Sequence, residues 1–131
     1  MRRSSVARAL LASVRLVGFG VALCAFVLWV VFFVGDARAL EQDFGITTGT
    51  LVVDAVMATL ALVAAWASFR PAPLVLVAVS AVSFLPVGFY TLLLPGYFSW
   101  IGICNLSCLA AGLLMAVCAR LARAEGQGAV G

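Results

Sequence analysis

The chain has 131 residues, 66% of them hydrophobic and 10% charged, where soluble domains run near roughly 45–50% apolar and roughly 25% charged. A globule of this size leaves too much surface in water to hide such an excess, so the bilayer is the expected solvent. Its net charge of +3 is carried by arginine alone, too little and too scattered for a nucleic-acid footprint. No histidine is present, which excludes histidine-ligated haem, the usual catalytic zinc sites and histidine general-base chemistry.

Residues 2–15 are basic and alanine-rich. Such a segment either lies along the membrane surface against anionic lipid or extends the first helix out of the bilayer. A helical span needs about 20 apolar residues, and 16–34 is the first stretch that qualifies. Arginines, this apolar stretch and then Ala37-Arg38-Ala39 imitate a signal peptide with an A-x-A cleavage site. The 19 apolar residues exceed the roughly 15 of a usual signal core, so a retained span is expected.

A polar external loop, 35–50, follows with Asp36, Arg38, Glu41 and Asp43. The second span is 51–69, with Asp54 its only charge. Arg70-Pro71-Ala72-Pro73 makes a tight turn into the third span, 74–94, and Pro95-Gly96 another into the fourth, 97–119. Residues 120–131 form a cytoplasmic tail whose last six residues are expected to fray. Short connections force antiparallel neighbours. The expected fold is therefore all-α: one four-transmembrane-helix domain in an up-down-up-down bundle.

Arginine placement orients it. Arg2, Arg3, Arg8, Arg15, Arg70, Arg120 and Arg123 fall on one side of a four-span topology, and only Arg38 on the other. Both termini are thus expected in the cytoplasm. Aromatic residues fit, with Phe32, Phe33, Phe44, Tyr97, Phe98 and Trp100 as an outer belt and Trp66 with Phe69 as an inner one. A composition rich in Ala, Val, Leu, Arg and Gly, without lysine, points to a GC-rich bacterial source and so to an inner membrane.

Helices associate in lipid through small residues that let backbones approach. The fourth span carries Cys104, Cys108, Gly112 and Ala116 at i, i+4 spacing, and the second carries Asp54, Ala58, Ala61, Ala65 and Ser68 at 4-3-4-3 spacing. The first has Gly18, Ala22 and Ala25. Pro86 interrupts the third span, frees the carbonyl of Val82 and predicts a kink, with Ser83 one turn back.

Polar residues inside spans are expensive, so they are the candidates for function. Counted at 1.5 Å per residue, Asp54 lies about 9 Å below the start of its helix near Thr48, and Tyr90 and Asn105 about 7–8 Å below the Pro95 and Trp100 boundaries. All three fall in one layer near the outer surface, with Trp29 at a similar depth. Its position on the small-residue face turns Asp54 towards protein, where it either binds a cation, a proton or a polar solute or joins an interhelical hydrogen bond. Cys24, Cys104, Cys108 and Cys118 lie inside spans; without C-x-x-C spacing or histidine they suggest packing, and no metal site is expected.

The stretch Phe84-Leu85-Pro86-Val87-Gly88-Phe89-Tyr90, then Leu94-Pro95-Gly96-Tyr97-Phe98-Ser99-Trp100-Ile101-Gly102 and Asn105, resembles a pattern in small uncharacterised bacterial four-helix membrane proteins. It covers the third and fourth spans, about a quarter of the chain, and implies class and location alone. Small multidrug transporters are of similar length and helix number but carry a glutamate in the first span, where this chain has no acid. Two functions remain open. The first is a non-enzymatic membrane protein, without cofactor, acting through helix packing as a self-associating or accessory subunit. The second is a small transporter or permeation element built on Asp54.

Overall fold

The computed structural model describes residues 2–42, 47–70 and 72–128. Asp43 and Phe44 of the expected outer loop and belt, Pro71 of the first turn and 129–131 of the tail lie outside them. The chain is all-helical: α1 (Arg2–Glu41), α2 (Thr48–Phe69), α3 (Pro73–Ser83), a π turn (Phe84–Gly88), α4 (Phe89–Leu93) and α5 (Tyr97–Gly128). Among the described residues, parts of α1, α2 and α5 are long and apolar enough to cross a membrane. This is a multi-pass membrane protein.

Two elements run past the bounds expected from hydropathy. α1 spans 40 residues, so the basic amino-terminal segment extends the helix, and Asp36, Arg38 and Glu41 ride its last turns instead of a loop. Polarity ends a membrane span but not a helix; Ala, Arg, Leu and Glu are good helix formers, and nothing after Val34 breaks the ladder except one tolerated glycine. α5 likewise continues through Gly128, over most of the segment read as a tail.

The third stretch covers its expected ground but is not one helix. Proline has no N–H to donate, and around Pro86 the ladder widens so that the Phe89 N–H donates to the Phe84 carbonyl, five residues back. The turn before α5 relies on Gly96, whose φ of 85° lies in the left-handed region that favours glycine.

α1 packs along α2 and α5, and α3 packs against both α2 and α5. Two core clusters are stacked along the long axis. One holds Ala22, Ala64, Leu76, Cys108 and Met115; the other holds Ala25, Trp29, Met57, Ala61 and Ile101. The first lies towards the end carrying Arg15 and Arg70, the arginine end; the second towards the end carrying Asp36 and Glu41, the acidic end. At the arginine end the Arg15 guanidinium donates to the carbonyls of Ser68 (3.4 Å) and Phe69, capping the last turn of α2.

Close approach is greatest at Gly102. A Cβ there would stand 2.7 Å from that of Leu92 and 2.8 Å from the Gly88 carbonyl oxygen, so α5 and the π turn touch through backbone. Gly20, in contrast, has nothing within 4 Å of the same position. Gly102→Ala is therefore expected to cost about 1–3 kcal/mol of stability, the usual range for overpacking. Gly20→Ala, one helix away, should change it by less than about 0.5 kcal/mol. Thermal unfolding in mild detergent measures both, and equal midpoints for the two variants would refute this packing.

Candidate functional site

Among the described residues, six polar side chains are buried: Asp54, Ser68, Ser80, Ser83, Thr91 and Asn105. Ser68 and Thr91 spend their hydroxyls on their own helices, donating to Ala64 O (2.9 Å) and Gly88 O (3.0 Å). Unpaired among the described residues are Asp54 Oδ2, Asn105 Nδ2, Ser80 Oγ and the Trp29 indole N–H. A buried polar atom left without a partner costs roughly 1–3 kcal/mol, so four in one small chain call for a reason.

Asp54 is only 5% exposed, six residues into α2. The Asp36 carboxyl of α1 lies beside it. Helix direction explains the approach. Side chains lean towards the amino terminus of their helix. α1 and α2 are antiparallel, so Asp36 leans down into the protein while Asp54 leans up towards the acidic end. Two carboxylates are both acceptors and cannot satisfy one another; a proton or a cation between them can.

Asn105 of α5 is buried against the π turn: a Cβ on Gly88 would stand 3.0 Å from its Nδ2. Trp29 of α1 is 5% exposed in the cluster with Met57 and Ile101, and Phe32, one turn on, stacks on Phe98 at 4.9 Å. The half of the protein towards the acidic end therefore holds one unmet acceptor and two unmet donors, from α2, α5 and α1. Counting along the sequence places Trp29 at this depth but misses Asp36, whose place in the expected loop hides its direction.

Tyr90 does not join them: it is 63% exposed. The buried residues of α3, Leu76, Ser80 and Ser83, set a rhythm that a regular helix would continue through Val87 and Tyr90. The π turn takes up one extra residue, a rotation of about 100°, and everything after it shifts by one position. Gly88 and Thr91 are buried in their place. Nothing in the sequence announces that shift except Pro86.

Of the expected packing seam, Ala61, Ala65, Cys108 and Gly112 are buried, and Ala58, Cys104 and Ala116 are half-buried beside them. The buried face of α5 runs Ile101, Asn105, Cys108, Gly112, Met115. A strict i, i+4 ladder drifts about 40° per step, whereas alternating steps of four and three hold one face. Cys104 and Ala116 stand at the edge for that reason. All four cysteines are free, and no group of three or more His, Cys, Asp or Glu side chains is poised for a metal among the described residues.

No protein-family model, no curated protein and no solved structure matches the chain.

The one-residue shift is testable. Thr91→Leu is expected to cost about 1–3 kcal/mol by overpacking. Tyr90→Leu should stay within about 0.5 kcal/mol, as an outward-facing site does. Chemical denaturation in micelles reads both; a larger loss at Tyr90 would mean the helix continues without the shift.

Proposed function

We propose that the chain is a four-span protein of the bacterial cytoplasmic membrane, an up-down-up-down bundle with both termini inside, in which Asp54 takes up a proton or a small cation for transport or permeation. The third span is the run 73–93, whose 21 residues reach about 30 Å even though a π turn divides them. Arginine placement supports the orientation, since the excess lies on the side of both termini. Arg15 and Arg70 stand together at that end, Arg15 on the last carbonyls of α2 and Arg70 over the Trp66 ring at 5.6 Å.

The observation that carries the functional reading is Asp54 itself: buried, with an unpaired oxygen, and paired across the helix interface with a second acid. Groups this costly inside a membrane protein mark ion and proton pathways. The small-residue seams that favoured a purely associative role are largely used within the chain. Reconstituted into liposomes, the protein should dissipate a proton or sodium gradient, and Asp54→Asn should reduce the rate at least about tenfold, the scale of losing one tuned carboxyl. Flux equal in wild type and variant removes this reading.

A self-associating or accessory subunit is the second reading, and one feature favours it. Between α1 and α5 runs an apolar groove of about 820 Å³, with Gly20, Cys24 and Ser107 as its small residues and Trp100 at its acidic end. Small residues in lipid invite another helix. Cys24 is exposed there and is a built-in reporter. Copper-phenanthroline oxidation of native membranes should yield a disulfide-linked dimer through Cys24, lost in Cys24→Ala and weakened by Gly20→Leu. A chain that stays monomeric under oxidation contradicts pairing of two copies across this groove.

A further inference from the structure

The arginine end carries a feature that neither reading uses. Two cavities lie along the face shared by α1 and α2, about 280 Å³ and 460 Å³, and they meet at Phe19 and Phe69. Those two rings pack with centroids 6.1 Å apart. The first cavity is bounded by Arg15; the second continues towards the middle of the membrane past Leu23, Leu62 and Trp66. From Arg15 to Leu23 the groove runs about 12 Å along α1, close to the roughly 15 Å depth of one leaflet's hydrocarbon. It has the length of one leaflet, not of the whole bilayer.

The mouth of the groove is positive. Arg15 is held by its two carbonyl acceptors on α2, and a guanidinium has five N–H donors, so its fork keeps donors for a further acceptor. Arg70, the residue after α2, is exposed and stands over Trp66. The negative end of the α2 dipole would repel an anion, but the Arg15 charge sits on those carbonyls and offsets it. Among the side chains described, the carboxylates Asp36, Glu41 and Asp54 all belong to the other end.

We propose that the α1–α2 groove binds one anionic diacyl phospholipid, its phosphate on Arg15 and Arg70 and one acyl chain along Phe19, Leu23, Leu62 and Trp66. Basic pockets between membrane helices recognise anionic head groups, and here fixed cations stand at the head of a single-leaflet apolar channel. The assignment needs only that these helices lie in a bilayer. It is independent of what Asp54 does and of which way the chain faces.

Trp66 is about half exposed and lines the groove, so it reports directly on the occupant. In a Trp100→Phe background the remaining tryptophans are Trp66 and the buried Trp29. The full chain is reconstituted in phosphatidylcholine vesicles containing an equal small fraction of either brominated phosphatidylglycerol or brominated phosphatidylcholine. Bromine quenches indole only at contact. Phosphatidylglycerol is expected to quench Trp66 at about thirtyfold lower mole fraction, the factor that corresponds to ~1 kcal/mol for each of the two arginines near the surface.

Arg70→Gln should cut the preference to about fivefold, the share of Arg15 alone, without disturbing the cap on α2. Arg15→Lys, which keeps the charge but loses the fork, should lower the preference while leaving the unfolding midpoint near that of the parent. Equal quenching by both lipids in the parent chain overturns the proposal, and so does a preference that Arg70→Gln leaves undiminished. Millimolar inorganic phosphate should leave the preference intact. Its removal by phosphate would mean a site for the free anion, and the lipid assignment would fall.

Discussion

The hydrocarbon interior offers no water to a backbone, so each N–H and C=O there must find its partner within the protein. Pro86 breaks that closure once, in the third hydrophobic stretch, and much of the acidic half follows from how the break is absorbed. Widening the ladder into a π turn keeps the chain helical across the proline. It also rotates all that follows. Thr91 turns inward and Tyr90 outward, and Gly88 comes against α5 beside Asn105 and Gly102. The buried amide of Asn105 thus lies against a turn whose shape follows from one missing hydrogen, the amide proton that proline lacks.

Around that break the helices are held by nearness. With lipid as apolar as leucine, burying a side chain gains little by itself, and contact between backbones contributes in its place. Alanines line much of the meeting faces of α1 and α2, and alanine is the commonest residue in the two core clusters. Gly18 of α1 lies against both Ser68 of α2 and Ala111 of α5, and a Cβ on it would stand 3.1 Å from the Ser68 hydroxyl. Arg15 then ties α1 to the end of α2. Packing at Gly18 and the Arg15 cap both act on the register between α1 and α2, which is the register that sets Asp36 beside Asp54.

The sequence was readable where a single helix decides the outcome. The 4-3-4-3 pattern on α2 located its buried face, because alternating steps track one side of a helix whatever the neighbours are. Gly18, Ala22 and Ala25 were equally plain on α1. Reading failed where two effects compete. The i, i+4 ladder on α5 ran off the buried face at Cys104 and Ala116, and the inward rhythm of α3 could not foresee a π turn. Hydropathy found where α1 leaves the apolar core but not where it stops being a helix. Asp36, two residues beyond Val34, is therefore missed as the neighbour of Asp54: its direction depends on helical geometry in a segment that composition assigns to a loop.

α1 has a mechanical consequence of its own. Its 40 residues measure about 60 Å, twice the roughly 30 Å of hydrocarbon, and no proline interrupts them. Because Asp36 sits near one end of so long a helix, a small difference in the tilt of α1 alters the gap between Asp36 and Asp54 far more than it alters the contacts near the helix middle.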